Sequence, residues 1–97
     1  MIRLEEKDNA TFIVHLNQTS TIGFDEGLQI KNILKYPVEK NSTILIDLDG
    51  VEHLDSKGYG FLSEVMAMAD NTESKILFTN IPENLSDAIN NLRIISD

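Results

Sequence analysis

Residues 1–97 are predicted to form a single α/β domain with a mixed β-sheet of about four strands and three or more helices. Three observations support this fold class. The N-terminal region alternates apolar and polar residues, two short apolar segments typical of strands lie further along, and segments with helical spacing of apolar residues alternate with them. An order of two strands and then alternating helices and strands is typical of a small layered α/β fold.

The first two strands are predicted at residues 2–5 and 11–16. Ile2 to Glu5 alternates apolar and polar side chains, residues 7–10 have turn-like composition, and the segment TFIVHL is rich in β-branched and aromatic residues. This pattern predicts a β-hairpin.

The first helix is predicted to begin near Phe24 and to end before Pro37. Asp25 and Glu26 lie in its first turn, where the helix dipole favours acidic residues. The residue before a proline avoids helical backbone angles, which sets the expected end. The apolar residues that share one face of this helix are Phe24, Leu28, Ile30, Ile33 and Leu34.

The remaining elements alternate between strand and helix. The segment TILIDL at 43–48 is apolar on both faces except at Asp47, which predicts a central strand covered by helices on both sides, at least in part. A second helix is predicted through Phe61, a further strand at 75–79, and a third helix opening near Pro82. Right-handed crossovers are expected to join these later strands.

Composition narrows the class of function. The chain is 41% apolar and 25% charged, as in ordinary folded soluble proteins, and it has no cysteine for disulfides or thiolate metal sites. Sixteen acidic against eight basic residues give a net charge of −8, which disfavours nucleic acid and anionic lipid as partners. The N-terminal residues lack an apolar targeting segment, so we expect a cytoplasmic protein that does not insert into membranes.

The stretch ILIDLDGV offers one candidate for catalysis. It resembles the first motif of haloacid-dehalogenase phosphatases, in which paired carboxylates such as Asp47 and Asp49 hold magnesium and the first attacks a phosphoryl group. That chemistry also needs a lysine, for which Lys75 is available, and a later acidic pair, which does not follow. The simpler interpretation is that a strand ends at Asp47 and that Asp49 and Gly50 form a turn. A magnesium-dependent phosphatase stays as an alternative of a different class.

A serine hydrolase is not favoured. His53, Asp55 and Ser56 are the residue types of a catalytic triad, but they lie within four positions, whereas a triad assembles from separated elements. His15 stands alone in a strand, and one imidazole makes no metal site. We instead expect Ser56 to cap the second helix by accepting a hydrogen bond from the N–H of Gly58 or Tyr59. No cofactor and no metal are predicted.

The segment ILIDLDGVEHLDSKGYGFL resembles the STAS domain family, to which bacterial anti-anti-sigma factors (anti-sigma factor antagonists) belong. The match is to a DSxG motif that follows a strand of the type hhhDhxxh, where h is apolar. It continues through KILFTNIP and a helix near Leu92, and with the hairpin it covers nearly the whole chain. Lys57 departs from the family, which often has a second serine or another small residue there.

The resemblance implies a non-enzymatic regulator that binds a protein partner. It implies that Ser56 is a phosphoacceptor and that the partner-binding loop comprises Asp55, Ser56, Lys57, Gly58 and Tyr59. The implied partners are an anti-sigma factor that is a GHKL-type serine kinase and a PP2C-type phosphatase that removes the phosphate. The alternatives within the family are a STAS scaffold that is never phosphorylated and a soluble subunit of a lipid-transport ABC system.

Overall fold

The computed structural model describes the backbone of residues 2–95 and the side chains of residues 2–92. In this range the strands are β1 Ile2–Asp8, β2 Thr11–Leu16, β3 Thr21–Ile22, β4 Thr43–Asp47, β5 His53–Leu54 and β6 Lys75–Thr79. The helices are α1 Phe24–Glu39, α2 Ser56–Asn71 and α3 Ser86–Ile95, and a 3₁₀ turn at Glu83–Leu85 precedes α3. None of these helices is long and apolar enough to cross a lipid bilayer.

The main sheet has the strand order β1-β2-β4-β6. β1 and β2 form the predicted antiparallel hairpin, whereas β2, β4 and β6 are mutually parallel. The predicted mixed four-stranded sheet with three helices is therefore confirmed.

One face of this sheet carries the core and the other does not. Alternate residues of β2, β4 and β6 are buried together with apolar residues of the helices, and the partly buried Ile2 and Leu4 of β1 pack against them. On the opposite face Ile13 and Leu45 are half-buried and Leu77 is 45% exposed. The expectation that helices cover both sides of the central strand is therefore wrong: the outward-facing Leu45 is apolar, which makes β4 resemble a doubly covered strand. The buried face consists of Phe12, Val14, Leu16, Ile44, Ile46, Ile76 and Phe78.

The helix α1 runs through Pro37 to Glu39, so the prediction that it ends before the proline is also wrong. Proline fixes φ near −65°, a helical value, and its ring removes a single backbone hydrogen bond. Both Pro37 and Val38 are buried, and this burial offsets the lost bond.

A second, two-stranded sheet was not anticipated from the sequence. β3 and β5 pair in parallel, with Ile22 opposite Leu54. Each strand has two residues, too few to show a periodic pattern. Because β3 leads directly into α1 and β5 into α2, this pairing brings the beginnings of the two helices together.

Hydroxyl groups join the other ends of these two helices. Thr72 Oγ1 and Ser74 Oγ both donate to the Val38 carbonyl, at 2.7 and 2.6 Å. The Ser42 N–H donates to Ser74 Oγ at 3.0 Å, and the Lys75 N–H donates to the Ser42 carbonyl at 2.9 Å. This hydroxyl network ties the ends of α1 and α2 to the beginnings of β4 and β6.

Candidate functional site

The helix α2 begins at Ser56, and the side chain that caps it belongs to Asp55. Asp55 has extended backbone angles, φ −86° and ψ 176°, and its Oδ1 accepts from the Gly58 N–H at 2.9 Å. The expectation that Ser56 is the cap is therefore wrong by one residue. Aspartate and serine cap helices about equally well, so the sequence alone does not decide between neighbours. The Ser56 hydroxyl stays outside the capping bonds, and Ser56 is exposed.

Gly58 allows the first turn of α2 to approach the backbone of β3. A Cβ atom added at Gly58 would lie 2.1 Å from the Ile22 carbonyl oxygen, a distance that backbone atoms cannot accommodate. The Asp55 N–H donates to the same carbonyl at 3.2 Å. The short strand β3 therefore fixes both the cap and the first turn of the helix that begins with Ser56.

The beginning of α1 lies against the same carboxylate. Gly23 precedes α1, and its N–H donates to Glu26 Oε1 at 2.9 Å. A Cβ added at Gly23 would lie 2.9 Å from Asp55 Oδ2. The N-termini of helices carry partial positive charge, so the Asp55 carboxylate sits where two such charges favour it.

An aromatic pair joins the first residue of α1 to the second turn of α2. Phe24 is 50% exposed and packs edge-to-face on Phe61, with ring centroids 5.3 Å apart. Lys31 Nζ lies 5.9 Å from the Phe61 ring centroid and 2.6 Å from Glu64 Oε1. The sequence pattern assigned both phenylalanines to apolar helix faces and did not predict that Phe24 is half exposed. For Phe24 the available signal was position, because it is the first residue of α1 and lies at the end of the apolar face.

The predicted loop thus divides into exposed and supporting residues. Ser56 and Lys57 are exposed together with Asp55, whereas Gly58 is buried and Tyr59 packs against the core. A partner that docks here meets the first three side chains directly. Gly58 and Tyr59 hold the helix that presents them.

Asp47 and Asp49 do not assemble with the lysine that phosphatase chemistry requires. Lys75 pairs with Thr43 at the start of β4, whereas Asp47 ends that strand, about 13 Å away along the sheet. Asp47 Oδ1 accepts from the Asn80 side-chain amide at 2.9 Å and from the Asp49 N–H at 3.0 Å. These bonds, the Asn80 bond foremost, lower the pKa of the Asp47 carboxyl. Asp47 therefore serves to join the ends of β4 and β6.

The histidines have no catalytic neighbours in the described part of the chain. His53 is exposed on β5, and within residues 2–92 its side chain makes no hydrogen bond with Asp55 or Ser56. His15 Nε2 lies 2.7 Å from Glu5 Oε1 on the neighbouring strand, and this bond lowers the pKa of Glu5. Within residues 2–95, side chains of His, Asp and Glu form no group of three that could hold a metal ion.

Comparison with known proteins identifies the family. The family model of the STAS domain matches residues 1–96, so the chain belongs to the STAS domain family, as the sequence motif predicted. No curated protein sequence matches the chain.

Two solved structures share the fold. The anti-sigma factor antagonist SpoIIAA in its unphosphorylated form superimposes with a TM-score of 0.76 at 15% sequence identity, over 93% of this chain and 82% of that one. The Bacillus cell fate determinant SpoIIAA in its phosphorylated form gives a TM-score of 0.74 at 15% identity, over 93% and 81% of the two chains. At this identity the likeness establishes a common fold.

Proposed function

We propose that this protein is an anti-sigma factor antagonist that binds an anti-sigma serine kinase through the Asp55–Ser56 loop and is switched off when Ser56 is phosphorylated. In this proposal residues 1–97 act as a single regulatory domain in the cytoplasm. The domain has no catalytic site and needs no cofactor, and a phosphatase resets it.

The observation that carries the proposal is the position of Ser56. It is the first residue of α2, it is exposed, and its hydroxyl is free of the capping bonds because Asp55 makes them. The first N–H groups of a helix have no partner within it, and the helix dipole is positive there. A phosphoryl group on Ser56 is therefore added where the fold tolerates negative charge.

The effect of phosphorylation would fall on the partner. A phosphoryl group adds about −1.5 to −2 charges, beside the Asp55 carboxylate and on a chain whose net charge is already −8. An acidic partner surface is then repelled by like charge, and a desolvated partner surface must bury the added charge. Every 1.4 kcal/mol of this penalty weakens binding about tenfold. The fold of SpoIIAA is matched in both its unphosphorylated and its phosphorylated form, which supports a switch that acts without refolding.

The first test is the intact mass of the protein after incubation with ATP and a lysate of its native host. We expect the wild type to gain one phosphoryl group and Ser56→Ala to gain none. Ser20→Ala is the matched control, since Ser20 is an exposed serine whose backbone carbonyl accepts from Glu52 and His53 next to the same loop. It should be phosphorylated like the wild type.

The second test is capture of partners from that lysate with immobilised protein. Ser56→Ala should retain the kinase and Ser56→Asp should lose it. The alternative is an unphosphorylated scaffold or transporter subunit. It would be favoured if all three forms captured the same protein and the wild type gained no mass in a lysate that is active on another substrate.

A further inference from the structure

Phe24 is an exposed aromatic residue beside the Asp55–Ser56 loop. The side chains that the structure describes include three large hydrophobic ones that are exposed, those of Phe24, Tyr36 and Leu77. Tyr36 lies near the other end of α1, about 18 Å from Phe24 along the helix axis. Leu77 lies on the face of the sheet opposite the helices. Among residues 2–92, Phe24 is therefore the large exposed hydrophobic residue at the end of the molecule that carries Ser56.

Phe24 lies within the area that a protein acting on Ser56 must cover. A Cβ added at Gly23 would lie 2.9 Å from Asp55 Oδ2, and Phe24 and Ser56 are the residues that follow Gly23 and Asp55. The Cα atoms of Phe24 and Ser56 are therefore at most about 16 Å apart. A standard protein interface covers about 800 Å² on each partner, which is a disc with a radius of roughly 16 Å. A protein centred on the Ser56 hydroxyl thus also covers Phe24.

The ring of Phe24 is held in place by the fold. It packs edge-to-face on Phe61, with ring centroids 5.3 Å apart. Phe61 is itself close to the backbone of α1, since a Cβ added at Gly27 would lie 2.9 Å from the Phe61 Cβ. A side chain that is already ordered loses little conformational entropy on binding. Aromatic residues are also enriched among those that dominate the energy of protein interfaces.

We propose that Phe24 is the apolar anchor by which the serine kinase recognises this chain, its ring being received by an apolar pocket of the kinase. This inference rests on the proposed function. Before phosphorylation, Ser56 offers a neutral hydroxyl between one acidic and one basic residue, Asp55 and Lys57, so the loop has no net charge for the kinase to bind. The phosphatase instead meets a phosphoryl group, which forms strong charge-assisted hydrogen bonds. The kinase is therefore the partner that depends on a neighbouring apolar side chain.

The test is the rate at which ATP and a lysate of the native host phosphorylate Ser56, measured over a range of concentrations of the chain. We expect Phe24→Ala to raise the apparent KM about tenfold or more, as removal of an interface anchor does. The maximal rate should stay unchanged, because Asp55 still caps α2 and Ser56 keeps its position. Amide NMR spectra check that the variant keeps the fold. If the ring served only to position Ser56, the maximal rate would fall and KM would not change.

Tyr36→Ala is the matched control, because it removes a similarly exposed ring, 57% against 50%, from the other end of the same helix. It should have the KM of the wild type. Phe24→Leu keeps an apolar side chain and should have a KM between those of the wild type and Phe24→Ala.

The outcomes separate this inference from the proposed function. A wild-type KM for Phe24→Ala, or an equal increase for Tyr36→Ala, would overturn the inference while Ser56 remained the phosphoacceptor. Slower removal of the phosphate from Phe24→Ala, with no change in the KM of phosphorylation, would assign the ring to the phosphatase and overturn it as well. If the wild type were not phosphorylated at all, the proposed function would fail and the inference with it.

Discussion

Gly58 and Gly60 lie two positions apart in α2 and have opposite surroundings. A Cβ at Gly58 would meet the Ile22 carbonyl oxygen at 2.1 Å, whereas a Cβ at Gly60 would meet nothing within 4 Å. We expect Gly58→Ala to lower the free energy of unfolding by about 1–3 kcal/mol, because the helix must move away from β3. Gly60→Ala should raise it by about 0.5–1 kcal/mol, since alanine is the better helix former. Urea denaturation of both variants measures the difference, and equal effects would show that α2 does not press on β3.

The same residues show how far the sequence predicts the site. The sequence predicts the beginning of α2 to within one residue, but it does not reveal which of the adjacent side chains of Asp55 and Ser56 makes the capping bond. The family resemblance places Gly58 in the partner-binding loop, but its close contact depends on β3, a strand of two residues that leaves no pattern in the sequence. Contacts between segments far apart in the chain, such as Ile22 and Gly58, are the part that local patterns cannot supply.

At the scale of elements, the bond between Asp47 and Asn80 joins the ends of β4 and β6. It is the main reason that the pKa of Asp47 lies below its ordinary value of 3.8. The unfolded chain therefore binds a proton more readily than the folded chain, and the stabilisation is lost as the pH falls through 3.8 and then through the lower folded pKa.

We therefore expect Asp47→Asn to be less stable than the wild type at neutral pH, by no more than about 1 kcal/mol because the carboxylate is partly solvated. The difference should vanish below the folded pKa. Asn80→Gly should lose the larger share of the same pH-dependent part, because glycine accepts the positive φ of 53° at this position but has no side-chain amide to donate, while the bond from the Asp49 N–H remains. Denaturant unfolding between pH 3 and pH 7 tests both variants. If the free energy of unfolding of Asp47→Asn ran parallel to that of the wild type across this pH range, the Asp47 carboxylate would not be the source of the pH-dependent stability.

Elements with strong local signals were predicted and elements set by packing were not. The hairpin, the strand at 75–79 and the existence of three helices follow from apolar spacing, whereas the helix predicted to open near Pro82 begins as a 3₁₀ turn and becomes α-helical at Ser86. The end of α1 does not, because burial of Pro37 and Val38 outweighs the local preference for stopping before a proline.

At the scale of the whole molecule, the fold has one layer of helices on one face of the sheet. Ile46 and Leu45 are neighbours in β4 but lie on opposite faces: Ile46 is fully buried and Leu45 half-buried. We expect Ile46→Ala to cost about 2–5 kcal/mol of unfolding free energy, as for other buried aliphatic residues. Leu45→Ala should cost about 1 kcal/mol, because less area is withdrawn from water. Comparable losses in urea denaturation would mean that both faces are covered.

The hydroxyl network around Val38 has a consequence for how this protein can change over evolutionary time. It locks α2 at the end opposite Ser56, about 24 Å away along a helix of 16 residues. Substitutions of the exposed Ser56 and Lys57 side chains are thus separated from the contacts that secure this end of the helix, whereas Asp55 caps α2 and is not free to change. Descendants of this sequence can therefore vary these two exposed side chains while the network at the opposite end preserves the architecture.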